Sequence, residues 1–320
     1  MLIIFCVTFI GMMGFGIILP LFPFYAERMG ASPEVITLTM AAFSLGQFIA
    51  APYWGRLSDS IGRKKTLAIT LLGSGISYVI LAYAPTLTIV ILSRVLSGLM
   101  AGNIAVAFAY VSDITTDENR SAGLGKVSAG LGLGFMVGPA IGGMLAGNSV
   151  ESANYLLTAL SAAAINFIAM FAALFFLKES LDNSSKKPFE GLSRIINLET
   201  FKPSKIILPL TVCGLIFYIS MAIMESIFPL WANDIFLYGP SNIGAVFFML
   251  GLIAVIIQGG LIGPLTGFLG EKKLVQLAAL SLILGLGLIG SATDTIVLWI
   301  GLLFFGCGTS MFNPSLSSMI

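Results

Sequence analysis

The hydrophobic pattern of the chain is a series of long apolar runs separated by short polar segments. A helix that crosses the hydrocarbon core of a bilayer needs about 20 mostly apolar residues, and ten runs are of that order. Because lipid offers no partners to backbone N–H and C=O groups, such runs form helices, whereas the strands of a membrane barrel are shorter and alternate in polarity. The pattern predicts an all-α polytopic membrane protein with spans near residues 1–25, 35–54, 66–84, 87–111, 122–146, 154–177, 206–229, 242–262, 274–291 and 296–318.

The composition indicates that lipid is the main solvent. Hydrophobic residues make up 57% of the 320 residues and charged residues 10%, whereas soluble domains carry roughly 25% charged residues. The net charge of +1 does not suggest a nucleic-acid partner. The chain has no His, and Cys6, Cys213 and Cys307 are far apart in apolar runs, so we predict neither a metal site nor a disulfide nor a cofactor.

Basic residues are distributed unevenly between alternate polar segments. Fourteen of the 16 lie in the segments 55–65, 112–126, 178–205 and 263–273, which share one side of the membrane if all ten runs cross it. Positively charged loops stay in the cytoplasm. The distribution therefore predicts a multi-pass protein of the bacterial inner (plasma) membrane, with its N-terminus and central segment in the cytoplasm.

An internal repeat divides the chain. Residues 55–65 align without gaps on residues 263–273, and five of the eleven positions agree. We expect two parallel repeats of six helices, with an N-terminal bundle at 1–177, a cytoplasmic linker at 178–205 and a C-terminal bundle at 206–320 that contains four helices. Residue 320 corresponds to about residue 112 of the first repeat, so we expect this chain to be a fragment that stops two helices before the second repeat is complete.

The segment 55–65, which reads GRLSDSIGRKK, carries the first family resemblance. It resembles the signature loop between helices two and three of the major facilitator superfamily. Glycines at 55 and 62 permit a tight turn and a close approach of helices. The alternative is an exposed basic loop that anchors to lipid headgroups. The residues to which the resemblance assigns the conformational switch are Gly55, Asp59, Gly62, Arg63 and Asp113.

The resemblance also implies partners for the charged residues of this loop. In the family, the aspartate contacts the eleventh helix and stabilises the outward-facing state. The arginine pairs with an acidic residue at the end of the fourth helix, which implies the pair Arg63–Asp113 in this chain. Because an eleventh helix is not among the 320 residues, we expect Asp59 to lack that contact.

The fifth predicted span contains a second motif, GFMVGPAIGG at residues 134–143. It resembles the GxxxGPxxGG motif of antiporters in the same superfamily, where the pattern is associated with exporters rather than with uptake symporters. Small residues four positions apart let helix backbones approach closely, and proline removes one helical hydrogen bond. A generic packing face is the alternative. The matching positions are Gly134, Gly138, Pro139, Gly142 and Gly143.

Arg94 is a basic residue inside the fourth predicted span. A charge in this position costs about 3 kcal/mol on insertion scales and indicates a functional residue. The surrounding residues 92–102 resemble the fourth-helix motif of these carriers, whose arginine is implicated in proton transfer. The alternative is that Arg94 extends its side chain to the membrane interface.

Glu225 is the only carboxylate well inside any predicted span. A low-dielectric environment favours the protonated carboxyl group, so this residue is the candidate for proton coupling or for binding a cationic substrate. The alternative is a hydrated carboxylate near the outer mouth. Drug and tetracycline exporters of this group often carry an acidic residue in the first helix, a few positions before the segment that corresponds to residues 14–20. Residues 10–13 have none, which disfavours a specific tetracycline assignment.

The resemblance implies a transporter with two six-helix halves, a substrate site at their interface, and transport by rocking of one half against the other. We expect a monomeric carrier that exchanges protons for drug-like or other small hydrophobic molecules. The substrate pocket is expected between helices 1, 4, 5, 7, 8 and 10 and rich in adaptable methionine and phenylalanine side chains. The candidates are Met12, Met13, Phe15, Phe217, Met221, Met224 and Phe312.

Three other functions are weighed against export. An uptake symporter of the same fold would have a strongly polar, multiply charged pocket, and the sequence shows none. An enzyme would need a cluster of nucleophile, base or metal ligands within the spans, which is also not found, so the chain is not predicted to be an enzyme. A fragment that binds but does not transport is the third alternative, because two helices of the second repeat are expected to be absent.

Overall fold

The computed structural model describes residues 1–181 and 207–318, and all regular elements within these ranges are helices. The predicted linker, 178–205, lies mostly outside the described residues. Within the described ranges, ten helical spans are long and apolar enough to cross a membrane, which confirms the predicted number. They are numbered here as spans 1 to 10: Leu2–Arg28, Pro33–Ile61, Arg63–Ala82, Leu87–Ile114, Asp117–Ala146, Tyr155–Phe176, Pro209–Ser226, Pro240–Leu269, Glu271–Gly290 and Thr295–Leu316.

Several spans consist of more than one helix. Span 1 contains two helices, span 4 contains two, and a short helix follows span 7. Span 8 has a π-helical turn at Ile257–Leu261. The helices are α1 (Leu2–Ile18), α2 (Phe22–Arg28), α3 (Pro33–Ile61), α4 (Arg63–Ala82), α5 (Leu87–Met100), α6 (Asn103–Ile114), α7 (Asp117–Ala146), α8 (Tyr155–Phe176), α9 (Ile207–Ser226), α10 (Phe228–Phe236), α11 (Pro240–Ile256), α12 (Ile262–Leu269), α13 (Glu271–Gly290) and α14 (Thr295–Ser317).

The prediction that residues 55–65 form a loop is wrong for most of its length. Helix α3 continues to Ile61, α4 begins at Arg63, and Gly62 alone joins them with a φ of 107°. Gly55 lies within α3, where a Cβ would meet no atom within 4 Å, so neither a tight turn nor a close approach of helices occurs there. Hydropathy locates the end of the apolar run, whereas the helix continues beyond it through polar residues that favour the membrane interface.

The second copy of the repeat has the same backbone. Helix α12 ends at Leu269, α13 begins at Glu271, and Gly270 joins them with a φ of 76°. Gly62 and Gly270 are equivalent positions of the aligned segments, and each supplies a positive φ that a side chain would disfavour. The helices that follow, α4 and α13, both have 20 residues. The internal similarity in sequence therefore corresponds to the same helix–glycine–helix joint.

Small residues allow the first six spans to pack closely. Helix α1 lies against both α7 and α8, while α4 contacts α8 and α5, and α3 contacts α5. At the α3–α5 contact, a Cβ on Gly98 would meet the carbonyl group of Phe43. Helices that pack in lipid gain little from the hydrophobic effect, so such close backbone contact supplies much of the attraction.

Span 4 is interrupted between α5 and α6, at Ala101 and Gly102. In a continuous helix the Leu99 carbonyl would accept the N–H of residue 103. Instead, the indole N–H of Trp54 in α3 donates to the Leu99 carbonyl at 2.7 Å. The Trp54 ring also lies where a Cβ on Gly102 would be. A side chain from span 2 therefore replaces a backbone hydrogen bond at the break in span 4.

We predict that Trp54→Phe destabilises the protein, because it removes the donor but keeps an aromatic ring. Loss of this partly buried hydrogen bond should cost on the order of 1 kcal/mol. Trp231→Phe is the matched control, since its half-buried indole donates no hydrogen bond to a described residue. The Tm of the purified protein in detergent should fall further for Trp54→Phe than for the control, and equal values would contradict this role.

Candidate functional site

Two adjoining cavities lie between span 7 and the first six spans. They share four residues, Phe15, Phe43, Gln47 and Glu225. The first, here called the Arg94 cavity, has a volume of about 860 Å³ that includes space open to solvent. Its other lining residues are Leu19, Phe22, Thr37, Met40, Ala41, Ser44, Arg94, Ala222 and Ser226.

The second cavity, here called the Asn103 cavity, has a volume of about 720 Å³, also partly open. Apart from Glu225, all of its lining residues come from spans 1 to 6. The residues that it does not share with the first cavity are Gly11, Met12, Ser74, Tyr78, Ser97, Ala101, Asn103, Ile104, Leu131, Phe135 and Asn166. Glu225 therefore stands where the two cavities meet.

The Arg94 side chain is held inside the protein. The residue is 5% exposed, and its Nε and Nη2 atoms have no hydrogen-bond partner among the described residues. Its guanidinium lies over the rings of Phe22 and Tyr78, 5.5 and 5.2 Å from the ring centroids, an arrangement that partly compensates a buried cation. This burial argues against the alternative that Arg94 reaches the membrane interface.

Helix α9, in the second repeat, contributes Ala222, Glu225 and Ser226 to the Arg94 cavity, and Glu225 is the acidic one. It is partly buried, and it lies in the same cavity as Arg94. No ion pair joins the two among those found in the described part of the chain. The cavity thus holds a basic and an acidic side chain that do not form an ion pair. Binding of a charged ligand or of a proton would change the net charge of the cavity.

The pocket residues predicted from sequence fall into two groups. Met12 and Phe15 line the cavities. The others lie outside these walls. The Met13 backbone lies beside Gly134 and Gly138 of α7. Phe217 stacks on Phe312 with ring centroids 5.0 Å apart, Met221 packs against the apolar core, and Met224 is buried. Spans 8 and 10, which were expected to contribute, supply no residue to either wall in the described structure.

Sequence reasoning missed the neutral amides of the site. Gln47, Asn103 and Asn166 lie in spans 2, 4 and 6 and line the Asn103 cavity. They carry no charge, so they do not stand out in a search for charged residues. The sequence feature that could have identified them is an amide side chain inside an apolar span. Such a side chain needs hydrogen-bond partners, which the protein or a ligand must supply.

The joint between α3 and α4 is held by a network of charges. The Arg63 Nε donates to Asp113 Oδ2 at 2.9 Å, and its Nη1 contacts Asp59 Oδ1 at 2.6 Å. The same Nη1 donates to the hydroxyl of Ser58. The Arg63–Asp113 contact implied by the resemblance is present, and the partner of Asp59 is Arg63, four residues later across the Gly62 joint. One guanidinium therefore ties the ends of spans 2 and 4 to the start of span 3.

Glu179, just after span 6, joins this network and was missed by sequence reasoning. Its Oε1 accepts the backbone N–H of Arg63 at 2.8 Å and lies 3.5 Å from the N–H of Lys64, at the start of α4. The next residue, Ser180, donates its hydroxyl to Asp113 Oδ2 at 3.1 Å. A carboxylate at a helix N-terminus satisfies free N–H groups and complements the helix dipole.

We predict that Glu179→Gln weakens the start of α4, because it removes the negative charge while keeping the side-chain size. Hydrogen exchange measured by mass spectrometry should show faster exchange in a peptide covering residues 62–66. Glu151→Gln, an exposed change in the turn after span 5, serves as the control. Unchanged exchange in the Glu179 variant would rule out this capping role.

The glycine motif of span 5 contacts two different helices. Cβ atoms placed on Gly134, Gly138 and Gly142 would meet backbone atoms of α1. A Cβ on Gly143 would instead meet the backbone of Pro240 and Ser241 at the start of α11. Pro139 lies inside the uninterrupted helix α7, so the motif packs without ending the helix.

Hydrogen bonds reinforce the contact between α7 and α11. The Ser241 backbone N–H donates to the Gly147 carbonyl at 3.1 Å, and the Ser241 hydroxyl donates to the Gly143 carbonyl at 3.0 Å. Further along, Met136 occupies the space beside Gly251. These contacts hold the first and second repeats together at the end of the molecule where α7 ends and α11 begins.

The opposite end of span 8 is exposed. Helix α12 has no buried residue, and Cβ atoms on Gly259, Gly260, Gly263 and Gly267 would meet nothing within 4 Å. The described parts of the two repeats therefore make close contact at one end of span 8 and not at the other.

We predict that Gly143→Ala separates the two repeats where they touch. The added Cβ would lie 2.7 Å from the Pro240 carbonyl oxygen and 3.1 Å from the Ser241 Cα, which are backbone atoms that cannot rotate away. Spin labels at the exposed positions 151 and 237 should report longer distances by pulsed electron resonance. Gly132→Ala, on the same helix with nothing within 4 Å, should leave the distances unchanged. The same distances in both variants would contradict the prediction.

Comparison with known proteins places this arrangement among carriers. A family model described as Major Facilitator Superfamily matches residues 4–320. The chain is 33% identical over 279 residues to multidrug resistance protein 2 of Bacillus subtilis, covering 85% of this chain and 68% of that protein. It is 30% identical over 320 residues to the class E tetracycline resistance protein of Escherichia coli, covering 98% of this chain and 77% of that protein.

Solved structures have the same fold. The human organic anion transporter MFSD10 superposes with a TM-score of 0.72 at 22% identity, covering 99% of this chain and 84% of that chain. The nucleoside transporter NupG, as its D323A mutant, superposes with a TM-score of 0.76 at 13% identity, covering 99% and 81%. At these identities the likeness shows the fold alone.

Proposed function

Because the chain belongs to the Major Facilitator Superfamily, we propose that it is a proton-coupled antiporter that exports small amphipathic, drug-like molecules. The observation that carries this proposal is the cavity in which Glu225 and buried Arg94 both take part without forming an ion pair. A carboxylate placed between two halves of a carrier can exchange a proton for a cationic substrate.

The lining of the Arg94 cavity favours lipophilic cations as substrates. Phe15, Phe22, Phe43 and Met40 provide aromatic and adaptable apolar surface. Glu225 provides the negative charge that a cation needs in such surroundings. The relatives that share about 30% identity are a multidrug and a tetracycline resistance protein, which supports drug-like molecules as the class.

Competition for Glu225 would couple the two fluxes. With the cavity open to the cytoplasm, the deprotonated carboxylate binds a cationic substrate. After the carrier opens to the outside, a proton binds to Glu225 and the substrate leaves. The proton is released after the carrier returns to the inward-facing state. Arg94 lines the same cavity and would shape the electrostatic field around Glu225 during this exchange.

The conformational change would use the two contact regions described above. Opening to the outside requires the α7–α11 contact at Gly143 and Ser241 to separate. The network around Arg63 would keep spans 2, 3 and 4 together as a rigid unit while the repeats rock. We place the Arg63 end in the cytoplasm, because the basic residues of the chain are concentrated there.

We also infer the membrane in which the protein works and its topology there. The bacterial relatives and the ten spans support a multi-pass protein of the bacterial inner membrane. The N-terminus and the segment between spans 6 and 7 lie in the cytoplasm. The carrier acts as a monomer, and its two bundles are residues 1–177 and 206–320. Its partners are small molecules and protons.

We predict that Glu225→Gln abolishes gradient-driven export, because glutamine has a similar shape but cannot take up a proton. Ethidium efflux from energised cells expressing the protein should fall at least about tenfold, the order expected when an essential charged interaction of about 1.4 kcal/mol or more is lost. A protonophore should reduce efflux by the wild type to the same level.

Glu151→Gln provides the matched control, since Glu151 is exposed in the turn between spans 5 and 6. Its efflux should equal that of the wild type at the same level of expression. Efflux that survives collapse of the proton gradient, or that persists in Glu225→Gln, would refute proton coupling at this residue.

A further inference from the structure

The Asn103 cavity differs in chemistry from the Arg94 cavity. Neutral hydrogen-bonding side chains converge on it from spans 2, 3, 4 and 6, and Glu225 is the only charged residue in its wall. Such a concentration of amides and hydroxyls is costly inside a bilayer unless the groups find partners. The neutral polar residues of the wall are Gln47, Ser74, Tyr78, Ser97, Asn103 and Asn166.

Several of these groups have hydrogen-bonding capacity to spare. Asn103 Oδ1 accepts the N–H of Ile104 at 3.1 Å, which leaves its Nδ2 without a described partner. Asn166 is 2% exposed, and its Nδ2 donates to the Ala162 carbonyl at 2.9 Å, which leaves its Oδ1 as an acceptor. The Gln47 amide makes no hydrogen bond to any described residue. The cavity therefore offers unused donors and an unused acceptor.

The break in span 4 lies in the wall of this cavity. Ala101, Asn103 and Ile104, which flank the junction of α5 and α6, all contribute to it. In membrane carriers, interrupted helices bring polar backbone and side-chain groups to substrate sites. Here Trp54, which does not line the cavity, donates a hydrogen bond to the Leu99 carbonyl at the interruption. This contact between spans 2 and 4 helps to fix the position of Asn103 in the cavity wall.

The junction of the two cavities is suited to an aromatic cation. The rings of Phe15 and Phe43 are stacked with centroids 5.2 Å apart, and both line each cavity next to Glu225. A ligand that reaches from Glu225 into the Asn103 cavity would pass these rings. Its inner end would then meet neutral amides and no charge other than Glu225.

We propose that the Asn103 cavity is a subsite for an uncharged group that both donates and accepts hydrogen bonds, such as a carboxamide. The cationic part of the same substrate lies at Glu225, and its aromatic part lies beside Phe15 and Phe43. A carboxylate would be repelled by Glu225, and an apolar group would leave Gln47 and Asn103 without partners. This subsite rests on the proposed function in that it assumes a cation at Glu225.

The test compares two probes that differ only in this group: tetraphenylphosphonium and its derivative with a carboxamide on one ring. Equilibrium binding of both is measured on the purified full chain by scintillation proximity. The wild type should bind the carboxamide probe about three- to tenfold more tightly, the ratio expected from one net hydrogen bond. Asn103→Leu and Gln47→Leu should each bring this ratio close to one.

Gln276→Leu is the matched control, because Gln276 is exposed on α13 and lies outside both cavities. It should preserve the ratio, and its elution and Tm provide the reference for folding of the other variants. Since two positions are tested, misfolding of one variant leaves the other as the test.

The outcomes separate the subsite from the proposed function. Equal wild-type affinity for the two probes, or a ratio that persists in the folded leucine variants, overturns the subsite. If Glu225→Gln weakens both probes in that case, the cationic site still stands. Absence of binding by either probe, or binding insensitive to Glu225→Gln, overturns the cationic site and the subsite together.

Discussion

The close backbone contact that span 5 makes on two sides is the constraint on which the rest of this structure depends. Gly134, Gly138 and Gly142 meet α1, while Gly143 meets α11 of the second repeat. In lipid, helices gain little by burying apolar surface, so attraction depends on how closely backbones approach. Because these four glycines have no Cβ atom, span 5 can pack closely against α1 in the first repeat and against α11 in the second.

Two groups that are costly in a bilayer are positioned by this packing. Arg94 is buried beside two aromatic rings with unused donors, and Glu225, from the second repeat, lines the same cavity. An unpaired cation in low dielectric is unfavourable for stability, which is a reason to associate it with function. The two groups belong to different repeats, so the rocking motion proposed above would change the distance between them.

The contacts within the first repeat differ in kind from the contact between the two repeats. Arg63, Asp59, Asp113 and Glu179 connect spans 2, 3, 4 and 6 through charges and a capped helix start. The contact between repeats consists instead of glycine backbones and the hydrogen bonds of Ser241. In the proposed transport cycle these few bonds would be exchanged for water, whereas the Arg63 network would stay intact.

The sequence by itself determined the ten helices, the repeat and the positions of Arg94 and Glu225, because a bilayer demands long apolar helices and makes a charge within them conspicuous. It also indicated the Arg63–Asp113 contact through a family resemblance. Only the tertiary structure showed that residues 55–61 remain helical, that Glu179 caps α4, and that Gln47, Asn103 and Asn166 share a cavity. The physical reason is that these features arise from contacts between helices distant along the chain. A hydrophobic pattern shows only which segments are apolar enough to lie in lipid.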